Sequence, residues 1–159
     1  MLRYRTGVDL VAELEAVTRA LGEAGVRYAV CGGVAVTAHG APRSTEDLDV
    51  LVDQSHVARA IEAVRAVGYT FAALPLVFDA GTPRERQVQR ITKVDEGQHL
   101  VLDLLGATGP FATMLDSTVV VTLKNGPMTF VDRATLLAMK RIAGRPKDLA
   151  DIEALEGAS

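Results

Sequence analysis

Two aspartates interrupt an apolar segment, Asp47-Leu48-Asp49-Val50-Leu51-Val52, and this pattern restricts the fold more than any other feature of the chain. The apolar residues predict a strand, in which successive side chains point to opposite faces. Asp47 and Asp49 therefore share one face, while Leu48 and Val50 point into a core. Two carboxylates side by side on an apolar strand repel each other and need a strong positive partner. A divalent cation held by oxygen ligands is the simplest such partner.

A Gly-Gly pair, Gly32-Gly33, precedes these aspartates and follows a predicted strand over 28–31. Glycine adopts positive φ and lets the backbone approach a ligand closely. A Gly-Gly turn that opens a helix offers free N–H groups and the positive end of the helix dipole to a phosphate. The alternative is a plain strand–helix turn with two surface aspartates. The two features together favour a nucleoside triphosphate with Mg²⁺ over that alternative.

The composition narrows the class of protein. The length of 159 residues suits one domain, residues 1–159, with a sizeable core. A net charge of −3 gives no overall basic field for nucleic acid, although it leaves room for a local basic patch. The single cysteine, Cys31, is interpreted as a core residue. Because no apolar run resembles a signal segment or a membrane span, we expect a cytoplasmic protein without membrane contact.

The hydrophobic periodicity predicts an α/β chain of α+β character, in which helices cover one side of a mixed sheet. Helices are predicted over 9–23, 34–39 and 55–66, the last with Ser55 as its N-cap. Strands are predicted over 69–73, 87–92 and 100–105, and Asp95-Glu96-Gly97 predicts a hairpin turn. Asn125-Gly126 predicts a second hairpin, of 118–123 with 128–131. Asp132 is expected to cap the first of two C-terminal helices.

Four cations, Arg84, Arg86, Arg90 and Lys93, cluster around the strand predicted over 87–92. They could protect a solvated edge strand by charge. They could also form a basic rim for a polyanionic acceptor such as RNA.

A third acid, Asp103, lies inside the apolar run 100–105 and needs a partner if it is buried. It would complete a three-carboxylate site only if its strand lies beside that of Asp47 and Asp49. In the loop before those aspartates, Arg43 could grip triphosphate oxygens or form a salt bridge to Asp47 or Glu46. Ser44 in the same loop could bind phosphate or organise the turn.

At these residues the sequence resembles the nucleotidyltransferase superfamily related to DNA polymerase β, whose pattern is Gly-Gly followed by Asp-hydrophobic-Asp-hydrophobic. Here the pattern is Gly32-Gly33 and Asp47-Leu48-Asp49-Val50. The motif Arg43-x-Thr45-x-Asp47-x-Asp49 is most similar to a small bacterial branch that includes AbiEii-type toxins.

The resemblance implies a palm-like fold with a catalytic core over about 26–106, followed by a hairpin and two helices over 118–157. It also implies that Asp103 lies beside Asp47 and Asp49. Positions on the C-terminal helices would then face the nucleotide: Lys140, Arg145, Lys147 and Asp148. The alternative for this segment is a mixed-charge surface in which Asp148 lies at a helix N-terminus, where the dipole favours it.

Our hypothesis from the sequence is a minimal nucleotidyltransferase that moves a nucleoside monophosphate from a nucleoside triphosphate to a hydroxyl group. Two Mg²⁺ ions would be held by Asp47, Asp49 and Asp103, and Asp103 would accept the proton of the acceptor. Gly32 and Gly33, with Arg43 or Ser44, would hold phosphates. The acceptor could be an RNA 3′ end, a protein or a small molecule. A different hypothesis is a non-catalytic nucleotide-binding subunit, or a partner in a toxin–antitoxin-like pair.

Overall fold

The structure, a computed structural model, describes residues 9–158. The α-helices in this part of the chain are α1 (Leu10–Glu23), α2 (Gly32–Ala38), α3 (Val57–Arg65), α4 (Arg133–Ala143) and α5 (Pro146–Gly157). The strands are β1 (Tyr28–Cys31), β2 (Asp47–Asp53), β3 (Phe71–Ala72), β4 (Leu76–Phe78), β5 (Arg86–Asp95), β6 (Gln98–Ala107), β7 (Thr118–Leu123) and β8 (Gly126–Val131).

The strands form one mixed sheet in the order β3-β5-β6-β2-β1-β8-β7, and β4 pairs with β5 on the same edge as β3. Strand β2 lies at its centre, parallel to β6 and antiparallel to β1. The sheet and its flanking helices confirm the predicted fold class. None of the helices found in residues 9–158 has the length and apolar character needed to cross a membrane.

Two tight hairpins formed where the turn residues predicted them. The loop between β5 and β6 is Glu96-Gly97, and both residues have positive φ, 49° and 78°. This is the backbone that a two-residue hairpin needs to match the twist of its strands. The hairpin of β7 and β8 also confirms the prediction from Asn125-Gly126. Asp132 caps α4 as expected, because its side chain accepts a hydrogen bond from the Thr135 N–H.

The sheet carries helices on both faces, not on one. Along β5, Lys93 and Arg90 point to opposite faces. Lys93 Nζ lies 3.0 Å from Glu13 Oε1, so α1 packs on the face opposite Arg90. On the other face, α4 supplies Lys140 to the cavity that Asp49 and Arg90 also line. The short connection from α4 to α5 also lines this cavity. The order of the first strands and helices predicted helices on one face of the sheet only.

Two local predictions were wrong. Ser55 does not cap α3, because it lies in a 3₁₀ turn over Gln54–His56, and its hydroxyl donates to Asp53 Oδ1 instead. Strand β5 is not an edge strand, because β6 pairs with one side of it and β3 and β4 pair with the other. Its charges therefore do not protect a free edge.

Substitutions at a buried and at an exposed position should have different effects on the free energy of unfolding. Leu102 on β6 is fully buried, whereas Val120 on β7 is 64% exposed. We expect Leu102→Ala to lower the free energy of unfolding by about 2–5 kcal/mol, because the cavity it leaves adds to the lost burial. Val120→Ala should change it by less than about 0.5 kcal/mol. Urea titrations of both variants would check this, and equal losses would contradict the assignment of Leu102 to the core.

Candidate functional site

The pairing of β2 with β6 brings the three predicted acids together. In this parallel register Asp49 lies directly opposite Asp103, and Asp47 lies opposite Val101. Cys31 of β1 is the partner of Asp49 on the other side. Because side chains alternate along a strand, Asp47, Asp49 and Asp103 all project from the same face of the sheet.

Arg90 on β5 extends this row, because it lies directly opposite Asp103 on the antiparallel neighbour. Its Nε and Nη2 each donate to one oxygen of Asp103, both at 2.9 Å. This two-bonded pairing is the strongest geometry that an arginine and a carboxylate can adopt. Arg90 therefore fixes the orientation of Asp103 and engages both of its oxygens.

The charges of this row perturb each other. Burial, together with the carboxylates of Asp103 and Asp47, raises the pKa of Asp49 to about 7. Burial, followed by the charge of Asp103, also raises the pKa of Asp47. The hydrogen bond to Asp103 raises the pKa of Arg90. The site therefore holds more negative charge than the nearby cations compensate, mainly at Asp49.

The thiol of Cys31 has its pKa raised well above its ordinary value by burial and by the charge of Asp49. Cys31 is 1% exposed. These observations confirm it as a core residue.

Gly32 packs closely against Asp49, and Gly33 packs closely against Thr45 in the loop before β2. Gly32 has φ of +68°, and a Cβ atom there would lie 2.1 Å from Asp49 Oδ2. A Cβ on Gly33 would lie 2.7 Å from Thr45 Oγ1. Neither position can carry a side chain without displacing Asp49 or the loop before β2. The glycines are in the first turn of α2, which confirms the predicted strand–glycine–helix order.

Arg43 is paired, but not with the residues that the sequence suggested. Its Nη1 lies 2.5 Å from Asp151 Oδ2 of α5, and its Nε donates to the Ser44 carbonyl oxygen. The expected alternatives, Asp47 and Glu46, are not its partners. The pair ties the loop before β2 to the last helix, and both Arg43 and Ser44 line the cavity.

Lys140 belongs to a buried ion cluster. Its Nζ lies 2.9 Å from Asp151 Oδ2 and 3.4 Å from Asp148 Oδ1, and the side chain is 9% exposed. Arg145 Nε also donates to Asp148, at 2.7 Å. Burial favours the neutral form of Asp148, but the hydrogen bonds from Arg145 outweigh it and lower the pKa of Asp148.

This cluster bears on two predictions, the surface position of the C-terminal acids and the role of Lys140. Asp148 lies in the first turn of α5, as the alternative expected, but Asp148 and Asp151 are buried and not part of a mixed-charge surface. The ammonium group of Lys140 is already paired with two carboxylates and is therefore not free to bind a phosphate. Lys147, in contrast, is exposed, lines the cavity and forms no ion pair within residues 9–158.

These residues surround one open cavity of about 990 Å³. The acids, Gly32, Gly33 and the cations of α4 and α5 form one end. The other end is apolar, with side chains from the sheet and from the 3₁₀ turn after β6: Leu76, Phe78, Val88, Leu105 and Phe111. The volume is at the upper limit for small-molecule sites, which are typically about 300–1,000 Å³.

The donor set fits Mg²⁺ at one part of the site. Within residues 9–158, no three His, Cys, Asp or Glu side chains form a ready-made metal cluster. Magnesium, however, is ordinarily held by one or two carboxylates together with substrate phosphates. Asp47 and Asp49 offer such a pair, because both project from one face of β2 into the same cavity. Asp103 offers less, because Arg90 engages both of its oxygens.

The sequence analysis named Arg90 without recognising its partner, although the signal was present. The turn at Glu96-Gly97 fixes the pairing of Asp95 with Gln98, and counting back along both strands places Arg90 opposite Asp103. Asp151 was also missed as a partner of Arg43 and Lys140. No sequence signal identifies that contact, because the residues are far apart in the chain.

No protein-family model and no curated protein sequence matches the chain. Its fold, however, is that of solved nucleotidyltransferase structures. It is similar to TM1012 from Thermotoga maritima, a proposed nucleotidyltransferase, with a TM-score of 0.64 and 12% identity over 93% of this chain and 92% of that one.

Two further structures share the fold. The lincosamide antibiotic adenylyltransferase LnuA, with lincomycin bound, has a TM-score of 0.59 and 17% identity over 93% of this chain and 97% of that one. JHP933 from Helicobacter pylori has a TM-score of 0.55 and 15% identity over 92% of this chain and 64% of that one. The predicted fold is thereby confirmed, while membership of the superfamily and of its AbiEii-type branch stays a prediction.

The raised pKa of Asp49 predicts a pH-dependent stability. A carboxyl group whose pKa is higher in the folded than in the unfolded protein binds more protons when folded, so stability falls as pH rises from about 4 to 7. Without divalent cations, Asp49→Asn should therefore gain stability relative to the parent protein between pH 5 and pH 8, by up to about 3 kcal/mol.

Urea titrations at both pH values would measure this difference, and Glu62→Gln is the matched control because Glu62 is 78% exposed at its side chain. A stability difference between the Asp49→Asn variant and the parent protein that does not change with pH would contradict the raised pKa.

The ion cluster predicts that Lys140 stabilises the fold. Lys140→Met would leave Asp148 and Asp151 without their shared partner, and removing one member of a buried ion pair costs about 3–5 kcal/mol. Lys147→Met, at the exposed neighbour, should leave the free energy of unfolding within about 0.5 kcal/mol of the parent value. Urea titration compares the two. Equal stability of both variants would show that Lys140 has no structural role.

Proposed function

We propose that the protein is a Mg²⁺-dependent nucleotidyltransferase, which moves a nucleoside monophosphate from a nucleoside triphosphate to a hydroxyl acceptor and releases pyrophosphate. The observation that carries the proposal is the row of Asp49 and Asp103 beside Asp47 at one end of a cavity, directly against Gly32. A protein without catalytic activity gains nothing from three carboxylates on one sheet face. The shared fold with LnuA, an adenylyltransferase, supports the same activity and makes ATP the first nucleotide to test.

Asp47 and Asp49 would hold the ion together with the triphosphate. When bound, Mg²⁺ would neutralise phosphate charge and stabilise the charge that develops during transfer. The chain itself positions the reactants. Gly32 lets the triphosphate approach Asp49 closely, and Lys147 and Arg43 supply positive charge on the same side of the cavity.

Asp103 is the group best placed to receive the proton of the acceptor. A carboxylate has about four acceptor sites, and the two bonds from Arg90 use two of them. The remaining sites can accept the hydroxyl proton, while Arg90 keeps the carboxylate oriented. A role of Asp103 as ligand of a second ion stays a prediction, because that role would need at least one oxygen to be shared with Arg90.

The reaction is tested by transfer of label from each of the four nucleoside triphosphates, labelled at the α-phosphate. RNA, protein and small-molecule fractions of a cell extract are offered separately, with lincomycin as one defined small molecule because LnuA binds it. We expect transfer in Mg²⁺ that is lost in the double variant Asp47→Asn/Asp49→Asn and kept in Asp53→Asn. Asp53 lies on the same strand but outside the cavity.

The protein could instead be folded and bind the Mg²⁺–nucleotide complex without transferring label. That result would contradict the proposed nucleotidyltransferase activity and favour the non-catalytic hypothesis. In that case a nucleotide-binding subunit of a toxin–antitoxin-like pair would be the alternative to test with a cognate partner protein.

The contribution of Lys147 can be measured separately from turnover. If its ammonium group binds the triphosphate, Lys147→Met should raise the dissociation constant of Mg²⁺–ATP about tenfold, as expected for a charged hydrogen bond. Lys124→Met, at an exposed lysine of the β7–β8 turn, is the matched control. Isothermal titration calorimetry gives both values. Equal affinities of the two variants for Mg²⁺–ATP would show that Lys147 does not bind the triphosphate.

A further inference from the structure

Away from Gly32 and Gly33, the cavity is lined by five apolar residues together with Asp79, Arg84 and Arg86. We call the five apolar residues, of which Phe111 is buried, the apolar wall: Leu76, Phe78, Val88, Leu105 and Phe111. Its centre is a row across three neighbouring strands. Leu76 of β4 lies opposite Val88 of β5, and Val88 lies opposite Leu105 of β6. Because the strands alternate, this row shares its sheet face with the acids.

The apolar row begins directly beside the reactive row. Leu105 is two residues from Asp103 along β6, and Val88 is two residues from Arg90 along β5. Two residues along a strand span about 7 Å. A molecule that lies on the apolar wall can therefore extend a hydroxyl group to Asp103 without leaving the cavity.

The wall is open to a ligand. Leu76 is 41% exposed and Phe78 is 43% exposed, although both side chains are large and apolar. Contiguous apolar surface that remains exposed beside polar groups marks binding sites more often than it marks free surface. On the opposite side of the cavity, Met139 and Ile142 of α4 add further apolar surface.

The cations next to the wall are already engaged within the protein. Arg84 Nη2 donates to the Ile142 carbonyl oxygen at 2.6 Å. Arg86 Nη1 pairs with Asp79 at 2.6 Å, and its guanidinium lies 5.3 Å from the centre of the Phe78 ring. Arg86, stacked on Phe78 and paired with Asp79, therefore extends the flat surface of the wall and has no unpaired charge for a ligand.

The other two cations of the predicted basic rim are also paired. Arg90 holds both oxygens of Asp103, and Lys93 reaches Glu13 on the opposite face of the sheet. A polyanion would have to break these pairs to gain phosphate contacts, which provide most of the affinity in nucleic-acid binding. The contacts of these four cations therefore argue against a basic rim for RNA.

We infer that the apolar wall binds the acceptor, and that the acceptor is a small, uncharged molecule with an apolar part and a hydroxyl group. This inference rests on the proposed function, because the hydroxyl oxygen forms a bond to the α-phosphorus while the bond from that phosphorus to the bridging oxygen breaks. Pyrophosphate leaves with the electron pair of that bond, and the hydroxyl proton passes to Asp103. RNA is the competing class of acceptor.

Binding is tested by saturation-transfer NMR with two neutral probes of matched head group, phenyl β-D-glucoside and D-glucose. We expect saturation of the phenyl protons and none of glucose. Leu76→Asn should weaken phenyl glucoside about fivefold, the size expected for removing a partly buried leucine from contact. Val77→Asn is the matched control, since Val77 is 49% exposed on the same strand, points to the other face and does not line the cavity.

The affinity for Mg²⁺–ATP is measured on the same samples, so that the two proposals can fail separately. Loss of phenyl glucoside binding in Leu76→Asn with unchanged nucleotide affinity supports the inference. Equal effects of Leu76→Asn and Val77→Asn, or binding of glucose as strong as that of phenyl glucoside, would overturn it.

The class of acceptor is read from the fractionated label transfer. Label in the fraction of small molecules retained on a reversed-phase column supports the inference, and label in RNA overturns it while leaving the nucleotidyltransferase intact. Absence of label from every fraction, with phenyl glucoside still bound at Leu76, would overturn the proposed function and leave a binding site for small apolar molecules.

Discussion

The parallel pairing of β2 with β6 is the contact on which the site depends. It sets Asp49 directly opposite Asp103 and places both acids in the same cavity. Burial of Asp49, together with repulsion from Asp103, raises the pKa of Asp49 and opposes folding while the group is charged. The surrounding strands compensate for it, since Leu48, Val50 and Leu102 are buried on the other face and leave at most 1% of their surface exposed. The core thus holds together two groups that would separate if they were free.

Arg90 is the second residue on which the arrangement of the acids depends. Its two hydrogen bonds hold Asp103 in a fixed direction. No comparable arginine pairs with Asp49, whose pKa is raised to about 7 by burial and by the charges of Asp103 and Asp47. Two chemically identical side chains in one row therefore differ in character. One is oriented by the protein, and the other is stabilised by added positive charge. This difference is the physical basis for assigning the cation to Asp49 with Asp47 and proton acceptance to Asp103.

The sequence predicted local features well because their causes are local. Strand alternation placed Asp47 and Asp49 on one face, the Glu96-Gly97 turn formed a hairpin, and Asp132 capped α4. The neighbouring position of Asp103 came from resemblance, since a parallel pairing joins distant segments and leaves no periodic signal. The edge assignment of β5 failed for a similar reason, because the two short strands β3 and β4 that cover it carry little pattern of their own. The partners of Arg43 and Lys140 could not be predicted, because α5 returns to the site only through tertiary packing.

The charges divide the cavity into two parts with different ligand preferences. At the acid end, negative charge exceeds its compensation, while exposed Lys147 stands beside it, so a cation and a phosphate group stabilise each other there. At the apolar wall, Arg86 and Arg90 are paired with Asp79 and Asp103, and Arg84 donates to a carbonyl oxygen. A charged ligand would compete with these contacts, whereas an apolar ligand would not. This division suits the two small molecules of the proposed transfer, a nucleotide and a neutral hydroxyl compound, which would meet at Asp103.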